Sequence, residues 1–170
     1  MALIIHLKKD AQVIVNGAVI ENASGRTISV AIRNNAAILR GSEILAPAAA
    51  TTPASRLYYA LQCAYLFPER RDDHLITFYE LLNSYLEAAP SAGPLVAAVL
   101  EAIDARQFYE ALKRAQFLIW HEGKVLDHVQ ERLVKELRDG AATGESAGDR
   151  GLGPDSGGAA HEGGTGFAES

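Results

Sequence analysis

Few side chains in this sequence stand in an arrangement that does covalent chemistry. His121-Glu122 opens like the helical motif in which two histidines four residues apart bind zinc beside a glutamate base, but the position four on is Val125. His121 and His128 lie seven residues apart, two helical turns, which is too far to share one ion. Asp72, Asp73 and His74 cluster where a helix is expected to begin, and aspartates there favour the positive end of the helix dipole. Most glycines fall in expected hairpins or from Gly140 onward, with Gly41, Gly93 and Gly123 standing singly. The one glycine between an expected strand and a helix, Gly41, stands alone rather than in a G-x-G-x-x-G or G-x-x-x-x-G-K run, so neither glycine-rich nucleotide fingerprint is present. Cys63 is the one cysteine; alone it makes no internal disulfide and no thiolate zinc site, and among Leu61, Ala64 and Tyr65 it is expected in the core. The chain therefore reads as a protein that is not an enzyme, with no metal and no cofactor.

What remains is binding. Net charge is −5, unevenly spread. Residues 1–45 carry five basic groups against three acidic, residues 46–138 ten against twelve, and residues 139–170 one against six. Only the first segment has the polarity to welcome an anionic partner. Lys8, Lys9, Arg26, Arg33 and Arg40 fall at its expected turns and strand ends, within reach of phosphates. The same segment contains no Phe, Tyr or Trp, so its strands cannot offer the aromatic platform on which many single-strand binders stack bases. Most of the aromatics fall at core spacing in the helices, while Tyr59, Tyr85 and Trp120 are candidates to line a groove for a protein partner.

These residues must be positioned by two kinds of element. Over residues 1–45 apolar and polar residues alternate at Leu3, Ile5 and Leu7 and again at Ile28, Val30 and Ile32, the period of a strand. Asn16-Gly17 between two β-prone runs is a strong hairpin signal, because both central residues of a type I′ turn need positive φ. Further turns fit Asn22 to Gly25 and Arg33-Asn34-Asn35. The expectation is an antiparallel meander of about five short strands. Helices begin at Thr52-Pro53, a capping residue followed by proline at the first helical position. Four helical runs follow, the last able to continue through Leu126, Val129, Leu133 and Leu137, and their short connections favour an antiparallel bundle. From Gly140 the chain holds ten of its fifteen glycines among acidic and small residues, a composition expected to stay disordered. The fold class expected is thus α+β: an antiparallel β unit over 1–45 packed with a helical bundle over 46–138, then an acidic glycine-rich disordered tail over 139–170. No apolar run approaches the roughly 20 residues of a membrane helix, and Met1 to Leu7 lacks a preceding basic region for a signal peptide, so a cytoplasmic protein without a membrane role is expected. Exposed sheet edges leave the oligomeric state open.

The order of these pieces resembles a known family. Val15-Asn16-Gly17-Ala18-Val19-Ile20, Ala37-Ile38-Leu39-Arg40 leading to Glu43-Ile44-Leu45, Thr52-Pro53-Ala54-Ser55-Arg56-Leu57-Tyr58-Tyr59-Ala60-Leu61-Gln62, and Phe108-Tyr109-Glu110-Ala111-Leu112-Lys113 are similar to the FlbT flagellin synthesis repressors. The likeness runs to about residue 135. It implies a post-transcriptional regulator of the bacterial flagellum that associates with the 5′ untranslated region of flagellin mRNA and represses translation or promotes decay, in concert with the small partner FlaF. The matching Thr-Pro helix adds Arg56 to the RNA-binding candidates. The alternative expectation is a chaperone-like factor whose helical bundle binds flagellin or FlaF.

Overall fold

The computed structural model describes residues 2–144, with side chains described to Arg138. Five strands come first: β1 (Leu3–Leu7), β2 (Gln12–Val15), β3 (Ala18–Glu21), β4 (Ile28–Ile32) and β5 (Ile38–Arg40). Asn16 and Gly17 take φ of +49° and +82° between β2 and β3, the left-handed pair a tight hairpin requires. All pairings are antiparallel, as expected, but the strands do not form one meander. β1 pairs with β4, Leu7 opposite Ile28, while β3, β2 and β5 make a second sheet in that order. Burial explains the two-sheet arrangement. Ile5 and Leu7 of one sheet and Val13 of the other share a small core with Ile28, Val30, Val15 and Ile38, which strands this short could not cover as a single layer.

One buried amide ties the sheet connections together. The Nδ2 group of Asn22 donates to the carbonyls of Leu7, Lys8 and Arg26 at 2.9, 2.9 and 2.8 Å, and its Oδ1 accepts from the Ser24 amide and hydroxyl at 3.0 and 2.7 Å. The polar side chain is thus satisfied on every side at a site only 1% exposed.

Helices α1 (Pro53–Leu66), α2 (Arg71–Ala88), α3 (Gly93–Asp104) and α4 (Phe108–Gly144) follow. Thr52 caps α1, its Oγ1 accepting from the Ser55 amide at 3.2 Å while Ser55 Oγ accepts from the Thr52 amide at 2.8 Å. Asp72 and Asp73 lie in the first turn of α2, where the helix dipole favours them. A larger core joins sheet and helices: Ile14 and Leu39 pack with Leu57, Leu61, Phe78, Val99, Leu112 and Leu118. Each such side chain contributes roughly 1.5–3 kcal/mol by leaving water. Polar fasteners set the register of α1 on the strand segment. Gln62 pairs its amide with both backbone groups of Leu45, at 2.8 and 3.0 Å, as a neighbouring strand would. Tyr58 donates to the Glu43 carbonyl at 2.6 Å, and the Ile38 amide donates to the Tyr65 hydroxyl at 3.1 Å. The α+β architecture expected from the sequence is therefore observed.

The chain divides into two units, the first ending at Val129 and the second beginning at Gln130. In the second, α4 exposes Leu133, Val134 and Leu137 and carries an Arg132–Glu136 ion pair at 3.9 Å. Of the tail expected to be disordered, residues 139–144 instead continue α4, and the rest lies outside the described residues. Among the described residues no single helix is long and apolar enough to cross a membrane.

Candidate nucleic-acid interface

The six cations singled out in the sequence are exposed, and strand pairing sets four of them at opposite ends of one sheet. Pairing of Leu7 with Ile28 and of Leu3 with Ile32 puts Lys8, Lys9 and Arg26 at one end of the first sheet and Arg33 at the other, about 17 Å away for strands of this length. Lys9 lies 4.0 Å from the Asp10 carboxylate. Arg56 is on the first turn of α1. Arg40 lines a hollow. A shared cationic surface built from strand ends, as the sequence implied, is not what the antiparallel β1–β4 pairing produces.

The structure places a different set of cations together. A hollow of about 520 Å³ lies between the loops around Asn16 and Asn35 and the ends of the helices; it is lined by Arg71, Arg106, Tyr65, Phe108 and Tyr109 among others. A second hollow of about 250 Å³, lined by Arg40 and Glu43, shares the walls Ala36, Tyr65 and Tyr109 with it. Arg40, Arg71 and Arg106 thus flank a tyrosine pair whose ring centroids are 5.7 Å apart. Neither Arg71 nor Arg106 makes an ion pair among the described residues.

Each wall has a local cause. Arg71, at the start of α2, donates from Nε to the Ala64 carbonyl at 3.0 Å and holds its guanidinium 4.2 Å from the centre of the Phe108 ring, so it is oriented with both Nη groups left over. Arg106 ends α3 in a Schellman turn: its amide donates to Ile103 O and that of Gln107 to Ala102 O, both at 2.8 Å. The turn requires the left-handed conformation, and Arg106 adopts φ +57°. Tyr109 donates to the Glu43 carboxylate, and that hydrogen bond, ahead of burial, pushes its phenol up to about 12. Tyr109 is 37% exposed and so remains accessible from solvent. Aromatic side chains missing from the strands are therefore delivered beside β5 by α1 and α4.

The groove candidates separate. Tyr85 is 3% exposed and belongs to the main core, which removes it from any surface groove. Burial raises the pKa of its phenol. Tyr59 is half-buried beside Cys63, and burial raises both groups. Trp120 is 64% exposed and lines a shallow apolar hollow with Phe117 and Gln116 on α4. Lys124 Nζ lies 5.3 Å from the Trp120 ring centre. Among the described residues no group of three or more His, Cys, Asp or Glu could hold a metal ion. His121 contacts Ser91 Oγ at 3.4 Å through Nε2.

A compact α+β unit that carries an arginine-lined trough walled by tyrosines has the make-up of a binding protein. The family profile described as "Flagellar protein FlbT" matches residues 3–126. A "Probable flagellum biosynthesis repressor protein FlbT 1" of Bradyrhizobium diazoefficiens is 36% identical over 125 residues, covering 74% of this chain and 85% of the relative. The "Flagellum biosynthesis repressor protein FlbT" of Caulobacter vibrioides is 31% identical over 133 residues, 76% of this chain and 92% of the relative. A Brucella anthropi protein named "Probable flagellum biosynthesis repressor protein FlbT" is 31% identical over 120 residues, 68% and 78% respectively. No solved structure matches. The chain belongs to the FlbT family of flagellum biosynthesis regulators.

Proposed function

We propose that this chain regulates flagellin synthesis after transcription, by associating with the 5′ untranslated region of flagellin mRNA and repressing its translation or promoting its decay. Family membership supports the regulatory role. The observation that carries the RNA reading is the trough, in which Arg40, Arg71 and Arg106 flank the Tyr65–Tyr109 pair. Cations along a groove beside accessible aromatics suit an unpaired strand, whose phosphates and splayed bases they engage together. The net charge of −5 disfavours indiscriminate attraction of polyanions and leaves binding to the local field.

Titrating full-length protein into labelled flagellin leader RNA tests this. With three phosphate contacts on a single strand the logarithm of affinity falls with that of salt at a slope of about −2, so a rise from about 50 to 200 mM weakens binding roughly twentyfold. Absence of binding at both salts would remove direct recognition.

The second reading is a chaperone-like factor that binds flagellin or FlaF through its helices. Exposed Phe117 and Trp120 on α4 favour it, since adjacent exposed aromatics are common at protein interfaces. Co-expression followed by size exclusion separates the two, a stable protein complex without RNA supporting the second.

A further inference from the structure

We propose that the wider hollow, bounded by Arg71, Arg106, Phe108 and Tyr109, seats one nucleoside 5′-phosphate unit. The source of that unit is either an unpaired nucleotide of a bound RNA or a free mononucleotide, and only the RNA source rests on the function proposed above.

Size and lining set the ligand class. About 520 Å³ is within the range of pockets that hold a small molecule and well beyond one inorganic anion. Its cations are not consumed internally. Arg71 spends only Nε on Ala64 O, leaving two Nη groups for a phosphate in the fork geometry that guanidinium favours. Beyond its backbone amide, which closes the α3 turn, Arg106 makes no hydrogen bond or ion pair among the described residues, so its guanidinium has no acceptor. A planar base has aromatic surface beside it in Tyr109, and amide groups that read base edges in Asn16 and Asn35. Asn16 is already fixed, because its Oδ1 accepts from the Ala37 amide at 2.8 Å, which leaves Nδ2 to donate. Glu110 is the one carboxylate in the lining and lies 3.4 Å from Lys113 Nζ.

Backbone conformation singles out Arg106. Among the described residues the other non-glycines with positive φ are Asp10 and Asn16, types that tolerate the left-handed region. At this turn position glycine is the usual residue and arginine the strained one. An arginine whose backbone is in a disfavoured conformation, with its side chain on an arginine-lined hollow, points to a role for the guanidinium. The same geometry supplies a clean variant, because Arg106→Gly relaxes the turn while deleting the cation.

The test uses the full-length chain and its Arg106→Gly variant, each titrated by calorimetry with the four nucleoside 5′-monophosphates, with inorganic phosphate, and with flagellin leader RNA. Saturable mononucleotide binding is expected, at least tenfold tighter than phosphate alone. The variant should weaken it about tenfold, the loss of one charge-assisted hydrogen-bonded contact, while melting at the same temperature or higher. For RNA the variant's salt slope should fall by about 0.7. Phosphate binding as tight as a mononucleotide would overturn the inference, as would RNA binding unchanged in Arg106→Gly together with no mononucleotide binding; the RNA reading would survive both. Mononucleotide binding without RNA binding upholds the hollow as a nucleotide site and sinks the RNA reading instead.

Discussion

Replacing Asn22 with alanine should destabilise the protein by about 2–6 kcal/mol, although the residue belongs to no strand or helix. The magnitude follows from its bonds. Two Nδ2 protons are shared by three carbonyls, of Leu7, Lys8 and Arg26, at 2.8–2.9 Å, and Oδ1 accepts twice from Ser24. Four side-chain hydrogen bonds at roughly 0.5–1.5 kcal/mol net each give that range, and carbonyls stranded at a 1% exposed site add to its upper end. The backbone pairs between Asn22 and Asp10 and Ala11, both 3.0 Å, survive the substitution, so the strands themselves remain joined. Urea denaturation followed by circular dichroism reads the loss as a lower midpoint at unchanged slope. Asn22→Asp sharpens the test, because it keeps the acceptor for Ser24 while setting an oxygen against three carbonyl oxygens. At neutral pH it should cost at least as much as alanine. A loss under about 1 kcal/mol for alanine, or an aspartate variant milder than the alanine one, would show that the amide is not what holds these turns.

Tyr58 and Tyr109 are both pushed to about 12, Tyr58 chiefly by burial and Tyr109 chiefly by its hydrogen bond to Glu43. Because folding raises these phenols above their ordinary value of 10, the stability they contribute is complete below pH 10 and is lost as pH climbs toward 12. Glu43→Gln should bring Tyr109 down toward 10 and leave Tyr58 high, as followed by phenolate absorbance. Gly17→Ala should cost about 2 kcal/mol or more in thermal melts, since φ is +82° and an added Cβ would overlap the Phe67 ring; a cost under about 0.5 kcal/mol would mean that the hairpin shifts freely. Trp120→Ala should change stability by less than about 0.5 kcal/mol at so exposed a site, while abolishing co-purification of flagellin or FlaF if the helices bind them.

Elements governed by local rules were legible in the sequence. The Asn16-Gly17 hairpin, the Thr52-Pro53 helix start and the continuation of α4 past Gly123 all depend on residues adjacent in the chain or one helical turn apart. What depends on long-range pairing was not. No spacing rule distinguishes a β1–β2 meander from the β1–β4 pair, because alternation reports which residues face inward and is silent about the neighbouring strand. The separation of Lys8, Lys9 and Arg26 from Arg33 was hidden for that reason, since it is set by the partner of β1. Arg71 and Arg106 were missed because each sits at a helix end that looks ordinary in isolation. The one local clue was an arginine where α3 ends, at a position that commonly takes glycine.

The absence of aromatic residues from the strands, read alone, argues against stacking on bases. The fold answers that objection without changing the strands. Tyr65 is carried by α1, whose register is fixed by Gln62 on Leu45 and Tyr58 on Glu43; Tyr109 is carried by α4 and held by the Glu43 side chain. Glu43, in the short turn after β5, therefore binds both helices, through its carbonyl to Tyr58 and its carboxylate to Tyr109. A sheet too small to present its own stacking surface acquires one from the helices docked against it. The geometry of that surface then depends on the helix–strand contacts, so if the trough holds RNA as proposed, variants at Glu43 or Gln62 should weaken leader-RNA binding in titration without removing a single cation from the trough.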